Sequence, residues 1–163
     1  MSFQEALKKS AEILKEGGII LYPTDTVWGI GCDAKNEAAV EKVFALKKRA
    51  DTKSMLCLVA NVAMLERHIA QVPEAAYDII DLSDKPTTII YDAPIGISKK
   101  LIAPDNSLGI RVAKDKFCSY LSQNIKGPLV STSANLAGQP TPKNFQEISQ
   151  EILKGVDYIV PLE

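Results

Sequence analysis

The stretch Tyr22-Pro-Thr-Asp-Thr-Val-Trp-Gly-Ile-Gly-Cys-Asp33 is the part of the chain around which we expect the fold to be organised. It follows the apolar run 18–22 and precedes a helical pattern that begins near Asn36. Its residues 24–31 combine two threonine hydroxyls, a carboxylate, the only tryptophan and two glycines. An ordinary connection between a strand and a helix rarely needs that mixture, and loops on a rigid scaffold commonly hold binding residues. We therefore predict a functional loop here, between a strand and a helix.

The composition is typical of a globular protein, with 46% hydrophobic and 24% charged residues in 163. This length predicts one domain with a sizeable core. The net charge of -1 argues against a protein that mainly coats nucleic acid, although it leaves room for a local basic patch. No apolar run reaches the ~18 residues of a membrane span, and the N-terminus lacks the apolar core of a secretory signal.

The three cysteines, Cys32, Cys57 and Cys118, are widely spaced and contain no Cys-x-x-Cys pair. This pattern predicts reduced thiols and a cytoplasmic protein. Cys57 lies in an apolar run and is expected in the core. Cys32 adjoins the opening stretch, which leaves a reactive thiol as a minor alternative. Three scattered cysteines and the single histidine, His68, cannot supply a zinc site, so no metal ligands are predicted.

Hydrophobic periodicity predicts strands alternating with helices along the chain. Ser2 and Glu5 have the spacing of a capping box, which begins the first helix, and Gly17-Gly18 ends it. The predicted strands are 19–22, 55–60, 87–91, 108–112, 128–131 and 158–160, and the further helices are 36–47, 61–69, 116–124, 144–155 and one that starts at Pro73. The alternation predicts an α/β protein with a mixed sheet. Residues 92–107 are predicted to form a long loop, and loops of that length are often functional.

Four polar clusters at the ends of apolar runs are candidates for a binding site. They are Thr24-Asp-Thr26, Lys47 with Arg49 and Lys53, Ser107 with Arg111, and Ser131-Thr-Ser-Ala-Asn135. Hydroxyls, an amide and fixed cations suit a polyphosphate, because Lys and Arg stabilise phosphate oxygens without acid–base help. His68 shares an apolar helix face with Met64 and Leu65, so we predict that it only fills space in the core or at the surface, a filler role without chemistry. No catalytic nucleophile–base pair is therefore expected.

Each cluster also has an ordinary structural interpretation. Lys47-Lys-Arg49 is typical of a helix C-terminus, where basic residues complement the helix dipole. Because Lys47 and Arg49 share a face only on extended backbone, we expect the helix to end near Lys47. Arg111 within its strand is equally compatible with a solvent-facing side chain, and Ser, Thr and Asn are common in turns. Gly29-x-Gly31 is a weak dinucleotide-binding signal, and no Walker-type glycine loop is present.

In this order and spacing, the clusters resemble the YrdC-like family, the L-threonylcarbamoyladenylate synthases. The matching elements are Pro23-Thr-Asp-Thr-Val-Trp-Gly29, Lys47-x-Arg49, Gly109-Ile-Arg111, and Ser133-Ala-Asn135 followed by Gly138. The resemblance extends from about Gly17 to the end. It implies a single-domain twisted mixed sheet with flanking helices that form a concave basic pocket.

The resemblance also implies a reaction. L-threonine, bicarbonate and ATP would be joined into threonylcarbamoyl-AMP and pyrophosphate, with Mg²⁺ on the ATP phosphates. A downstream threonylcarbamoyl transferase would use the product to modify the adenosine beside the anticodon of tRNA. Two alternatives remain open: a non-catalytic member that binds double-stranded RNA or tRNA, and an ATP-dependent carbamoylation module that acts on another amine.

Site roles carry over by matching position. Thr24 and Arg111 would bind L-threonine, and the nucleotide would be bound by Lys47, Arg49, Ser107, Ser133 and Asn135. No residue is assigned as catalytic, because the threonine amine can itself capture carbon dioxide as a carbamate. Asp25 would organise the turn, and Trp28 is equally compatible with a pocket wall and a core plug. Replacing Lys47 or Arg49 by alanine is expected to weaken ATP binding while leaving the melting temperature nearly unchanged.

The sequence departs from the family pattern at several positions. Ala50 stands where many members have proline, Lys53-Ser-Met55 replaces an Asn/Lys-Pro-Leu segment, and Lys85-Pro-Thr-Thr88 replaces Gly-Pro-x-Thr. Family members usually continue through a Gly-Gly and Ser-Thr-Val segment to a further, Arg-rich strand, whereas this sequence ends at Pro161-Leu-Glu163. We expect a YrdC-like domain over residues 1–163 without that C-terminal strand, either as a piece of a longer protein or as a reduced homologue.

Overall fold

The structure, a computed structural model, describes residues 2–24, 26–48 and 55–162. The positions Asp25, Arg49 and Lys53 lie outside these residues. The described strands are β1 (Ile20–Pro23), β2 (Trp28–Gly31), β3 (Leu56–Val59), β4 (Thr88–Asp92), β5 (Ser107–Val112), β6 (Leu129–Ser133) and β7 (Tyr158–Ile159). The α-helices are α1 (Phe3–Lys15), α2 (Glu37–Lys47), α3 (Val62–His68), α4 (Glu74–Leu82), α5 (Lys116–Ile125) and α6 (Gln150–Gly155).

The seven described strands form one sheet in the order β4-β5-β3-β6-β2-β1-β7. The pairs β3–β5 and β1–β7 are parallel, and the other four pairs are antiparallel. The prediction of an α/β protein with a mixed sheet is therefore confirmed. Every strand predicted from the sequence is present, with bounds that differ by a few residues.

The opening stretch differs from its prediction. It forms a β-hairpin in which β1 and β2 pair antiparallel, from Ile20 opposite Gly31 to Pro23 opposite Trp28. The expectation of a strand-to-helix loop was wrong, because β2 was not recognised. The alternation of apolar residues with glycines at 27–31, after the turn-forming threonines, is typical of the second strand of a hairpin and was the available signal.

The helices begin and end where local chemistry dictates. Side chains of Ser2, Asn36, Asn61 and Asp115 each accept a hydrogen bond from the backbone N–H three residues on, which satisfies a donor of the first helical turn. Helix α2 ends at Lys47 as expected, because Lys48 adopts the left-handed conformation with φ 59°. The predicted helix 144–155 is instead a 3₁₀ turn at Phe145–Glu147 followed by α6, with separate caps at Asn144 and Ser149.

The loop 92–107 folds back on itself. The Ala93 N–H donates to the Asn106 carbonyl at 2.9 Å, and a 3₁₀ turn forms at Lys99–Leu101. The Ser98 N–H donates to the Ala34 carbonyl at 2.9 Å, and Ile97 and Leu101 are buried in the same core cluster as α2. These contacts give the loop a packing role on the α2 side of the sheet.

Different helices cover the two faces of the sheet. Successive side chains of each strand point to opposite faces, so they pack in different core clusters. Ile20, Tyr22, Leu58 and Leu129 pack with α1 and α5 in one core cluster. The alternate residues, among them Leu21, Cys57, Val59 and Val130, pack with α2, α3, α4 and α6 in the other. No described helix is both long and apolar enough to span a membrane.

Candidate active site

A cavity of about 250 Å³ opens on the sheet face that α1 and α5 partly cover. It lies where β1, β2, β3, β5 and β6 extend beyond these helices. Its lining consists of Thr24, Thr26, Val27, Gly29, Leu56, Arg111, Ser131, Thr132, Ser133 and Thr141. Six of these ten residues are threonine or serine, and Arg111 is the charged one. The cavity is therefore a hydroxyl-rich site with a fixed cation.

Strand register explains why these side chains meet. Gly29 is the partner of Ser133, and Leu56 is the partner of Ser131, so all four share one face of the sheet. Gly29 leaves room, because a Cβ there would lie 3.3 Å from Thr24 Cγ2 and 3.4 Å from the Thr132 carbonyl. Small residues on neighbouring strands thus leave a hollow in this face.

Arg111 lies on the same face, because its register partner is Leu58 of the α1/α5 core. It is only 7% exposed, and it lines the cavity. The interpretation of Arg111 as a solvent-facing strand residue is therefore wrong. A guanidinium at the wall of a partly enclosed cavity suits a carboxylate or phosphate ligand, because it can donate two parallel hydrogen bonds.

Thr24 organises the turn of the hairpin. Its hydroxyl donates to the Val27 carbonyl at 2.6 Å and accepts a hydrogen bond from the Thr26 N–H at 3.1 Å. The two threonine hydroxyls lie 3.0 Å apart. Thr24 therefore stabilises this turn and also lines the cavity, while the turn role predicted for Asp25 lies outside the described residues.

Lys47 lies behind the cavity wall. It is 0% exposed, and its ammonium group donates to Thr132 Oγ1 at 2.6 Å and to the Ser133 carbonyl at 2.7 Å. Ser133 Oγ is a longer contact at 3.5 Å. In this arrangement Lys47 ties the end of α2 to β6, and its charge lies directly under two residues that line the cavity.

Asn135 stabilises the loop after β6. Its amide nitrogen donates to the Leu136 and Gln139 carbonyls at 3.0 and 2.8 Å, and its amide oxygen accepts from the Ser133 hydroxyl. The residue is buried and does not line the cavity. Its amide therefore positions Ser133 in the structure described here.

Ser107 is the first residue of β5. Because β5 runs parallel to β3, both strands begin at the end of the sheet where the cavity lies. The Ser107 hydroxyl donates to Asp105 at 2.5 Å, and this residue does not line the cavity. Of the predicted site residues, Thr24, Arg111 and Ser133 thus line the cavity, while Lys47 and Asn135 lie directly behind it. Ser107 lies farther along the same edge, and Arg49 is outside the described residues.

Three other candidates have structural roles. Trp28 is on the opposite sheet face, where its ring lies 5.2 Å from Phe145 beside an apolar groove that includes Ile159 and Leu162. It is therefore not a wall of the cavity. Cys32 is buried, and burial raises the pKa of its thiol well above the ordinary value, which disfavours a reactive thiolate. His68 Nδ1 lies 2.9 Å from the Ile95 carbonyl in a loop contact, which supports the filler role.

Sequence reasoning left several lining residues without a role. Thr26, Ser131 and Thr132 belong to clusters that were recognised, but the sequence alone does not say which members face the cavity. Thr141 lies between two prolines in a loop, with no periodic signal around it. Tyr22, fully buried beside the cavity, was assigned only to its strand.

The chemistry that these groups allow is binding and charge neutralisation. Among the residues that the structure describes, the cavity lining contains no histidine, cysteine or carboxylate that could act as a general base. In the described ranges no group of three or more His, Cys, Asp or Glu side chains is placed to hold a metal ion. The described groups therefore define a site in an α/β protein that can hold and orient an anionic ligand on one face of its mixed sheet.

The Sua5/YciO/YrdC family model, described as "Telomere recombination", matches residues 12–163. A protein of Stenotrophomonas maltophilia named threonylcarbamoyl-AMP synthase is 34% identical over 158 residues, which are 94% of this chain and 84% of that protein. The chain belongs to the Sua5/YciO/YrdC family, and the resemblance inferred from its motifs is confirmed.

Solved structures show the same fold. P. abyssi Sua5 complexed with L-threonine has a TM-score of 0.88 at 21% identity; the match covers 98% of this chain and 47% of that one. The present chain thus spans about half the length of that protein. E. coli YciO has a TM-score of 0.82 at 24% identity, with 96% of this chain and 77% of that chain covered. The expected YrdC-like sheet with flanking helices is therefore present.

Proposed function

We propose that this protein is a threonylcarbamoyl-AMP synthase. It joins L-threonine, bicarbonate and ATP into threonylcarbamoyl-AMP, pyrophosphate and water. The observation that supports this function best is the cavity itself, whose described lining consists mainly of one arginine and six hydroxyl side chains. The relatives with this name match most of the chain.

The cavity volume suits the amino acid. Pockets that enclose a drug-sized ligand usually measure about 300–1,000 Å³, so a nucleoside triphosphate needs more space than the 250 Å³ found here. L-threonine fits, with its carboxylate on Arg111 and its hydroxyl and amine among Thr24, Thr26 and Ser131. The triphosphate then extends from the cavity along Ser133 and Thr141, above the buried charge of Lys47.

The reaction needs orientation more than proton transfer. The amine of L-threonine forms a carbamate with carbon dioxide from bicarbonate. A carbamate oxygen attacks the α-phosphorus, and pyrophosphate leaves. Pre-placed cations and hydroxyls stabilise the negative charge that develops on the phosphate oxygens. Arg49 and Ser107 are proposed to contact the nucleotide in the same way.

The proposed metal ion is Mg²⁺ bound to the triphosphate. Magnesium prefers oxygen ligands and often uses substrate phosphates more than protein side chains. The described cavity offers hydroxyls but no carboxylate cluster, which agrees with an ion delivered by the nucleotide. When bound, it would neutralise phosphate charge.

We also propose where this protein acts and which enzyme uses its product. Residues 1–163 form one YrdC-like domain, and the product passes to a transferase that modifies tRNA. A cytoplasmic location is supported by Cys32, Cys57 and Cys118, which are all buried thiols, because disulfides are rare in the cytoplasm. Direct RNA binding is not favoured by the net charge of -1.

The test is pyrophosphate release from ATP, bicarbonate and Mg²⁺, with and without L-threonine. We expect release to depend on L-threonine, with L-valine, which has the same shape but lacks the hydroxyl, far less effective. Arg111→Lys should raise the KM for L-threonine, because a lysine cannot donate two parallel hydrogen bonds. Equal release with and without L-threonine would disprove the proposed function. Retained ATP consumption with another amine would instead indicate a different carbamoylation reaction.

A further inference from the structure

Tyr22 is a buried tyrosine that the proposed reaction does not use. It is the register partner of Gly29, so its side chain lies on the cavity face of the sheet. Its side chain has no exposed surface, and its hydroxyl donates to the Val130 carbonyl at 3.1 Å. The ring therefore reaches from β1 across β2 to β6.

Gly31 makes this path possible. A Cβ at Gly31 would lie 2.6 Å from Tyr22 Cε1 and 2.7 Å from the Val130 carbonyl oxygen. Real Cβ atoms do not approach other atoms so closely, so a side chain at this position would displace the Tyr22 ring or the Val130 carbonyl. The tyrosine and the glycine together form the boundary between the cavity and the core under α1 and α5.

The Tyr22 side chain shares its sheet face with Ser131 and Arg111, two residues of the cavity wall. Burial raises its pKa well above the ordinary value, while a hydrogen bond from the Ser131 side chain and the nearby charge of Arg111 lower it. The phenol is therefore protonated at neutral pH. It donates to the Val130 carbonyl, and its oxygen remains able to accept a hydrogen bond from the Ser131 side chain on the same sheet face.

We propose that Tyr22 is a positioning residue of the site: through Val130 and Ser131 its hydroxyl fixes the Ser131 side chain beside Arg111, where the polar groups of the substrate bind. Without the phenol, the Ser131 hydroxyl is released to rotate and the β6 carbonyl loses a donor. The ligand's identity, though not the positioning role, rests on the proposed synthase function.

The experiment compares Tyr22→Phe with Tyr91→Phe. Both variants remove one hydroxyl and keep the ring, and Tyr91 is 2% exposed on the opposite sheet face, away from the cavity lining. We measure the melting temperature and the KM values for L-threonine and ATP in pyrophosphate release. Tyr22→Phe should raise the KM for L-threonine about three- to tenfold, the effect of one lost hydrogen bond. Tyr91→Phe should leave it unchanged.

A double-mutant cycle with Ser131→Ala tests the route of the effect. If Tyr22 acts through Ser131, adding Tyr22→Phe to Ser131→Ala changes the KM little further. Fully additive effects would overturn the inference. A lower melting temperature for Tyr22→Phe with unchanged KM would also overturn it, because that result describes an ordinary core tyrosine.

Titration calorimetry separates this inference from the proposed function. If the unmodified protein shows no threonine-dependent release of pyrophosphate, the synthase function fails. The affinity of Tyr22→Phe for ATP and for L-threonine, measured directly, then decides the positioning role. A weaker affinity than that of Tyr91→Phe supports it, and equal affinities contradict it.

Discussion

Lys47 shows at the residue scale how a buried charge is stabilised. An ammonium group that leaves water loses several kcal/mol of hydration unless its donors find acceptors. Here Thr132 Oγ1 and the Ser133 carbonyl lie at 2.6 and 2.7 Å. The Lys47 carbonyl also accepts from the Ala137 N–H at 2.8 Å, so the lysine joins α2, β6 and the following loop.

This geometry changes the expectation for Lys47→Ala. A nearly constant melting temperature was expected from the sequence, but the variant removes a fully buried side chain and leaves its acceptors without a donor. We predict a loss of about 2–4 kcal/mol in the free energy of unfolding, measured by urea titration. The neighbouring Lys48→Ala is the control, because Lys48 is 65% exposed in an ion pair with Glu151, and such pairs contribute at most about 1 kcal/mol. Equal, small losses of stability in Lys47→Ala and Lys48→Ala would contradict the conclusion that Lys47 stabilises the junction of α2 and β6.

The raised pKa of Tyr22 predicts that the stability of the protein changes at alkaline pH. Its pKa is raised mainly by burial, so above pH about 10 the unfolded chain loses this proton while the folded chain keeps it. The free energy of unfolding therefore falls as the pH rises from about 10. Tyr22→Phe should start about 0.5–1.5 kcal/mol lower at neutral pH and fall less steeply.

Chemical denaturation between pH 8 and 11 measures both curves. The thiols of Cys32 and Cys57, whose pKa values burial also raises, to about 12 for Cys57, contribute equally to both proteins. The difference between the curves thus isolates Tyr22. Parallel curves would show that its pKa is not raised by folding.

At the scale of elements, the β1–β2 hairpin contributes residues both to the core under α1 and α5 and to the cavity lining. Tyr22 and Ile20 of β1 pack under α1 and α5, while the turn after β1 carries Thr24 to the cavity. In β2, Gly29 and Gly31 share the cavity face but have different neighbours. A Cβ at Gly29 would meet atoms at 3.3 Å or more, whereas at Gly31 it would meet a ring carbon at 2.6 Å.

These contacts predict that Gly31→Ala mainly affects stability, whereas Gly29→Ala mainly affects ligand binding. Gly31→Ala should destabilise the protein by about 1–3 kcal/mol, because Tyr22 and the Val130 carbonyl must move. Gly29→Ala should change stability less but fill part of the cavity, so its KM for L-threonine should rise. Urea titration and pyrophosphate release measure the two effects. Similar stability losses for both variants would show that the strand tolerates crowding equally at both positions.

At the scale of the whole molecule, the cavity exists because two helices cover only part of one sheet face. Helices α1 and α5 bury Leu58 and Leu129, and the next residues of the same faces, Leu56 and Ser131, reach the cavity. The ligand site is therefore continuous with the core. Binding should stabilise the fold, since a ligand that binds only the folded state adds free energy by mass action.

We predict that ATP and L-threonine, at about 100 times their dissociation constants, each raise the melting temperature by about 5–10 °C, and together by about twice as much. L-valine in place of L-threonine should produce only the shift due to ATP. Thermal denaturation followed by circular dichroism measures the shifts. No additional shift with L-threonine would mean that the amino acid does not bind the folded protein.

Local patterns in the sequence were sufficient for most elements and for the family. The caps at Ser2, Asn36 and Asn61, the end of α2 at Lys47, and the alternation that predicts a mixed sheet all depend on neighbours within a few residues. The motifs around Thr24, Arg111 and Ser133 identified the family, and these three residues do line one cavity.

Only the tertiary structure decided which face each residue occupies. Strand register placed Arg111 with Leu58 on the cavity face and Trp28 on the opposite one, since neighbouring residues of a strand point to opposite faces. Packing between distant segments buried Lys47 under Thr132 and brought Tyr22 to Val130, contacts that span 85 and 108 positions of the chain. The sequence by itself determined the elements and the chemical groups. Their arrangement around the cavity depends on long-range pairing, which no local pattern encodes.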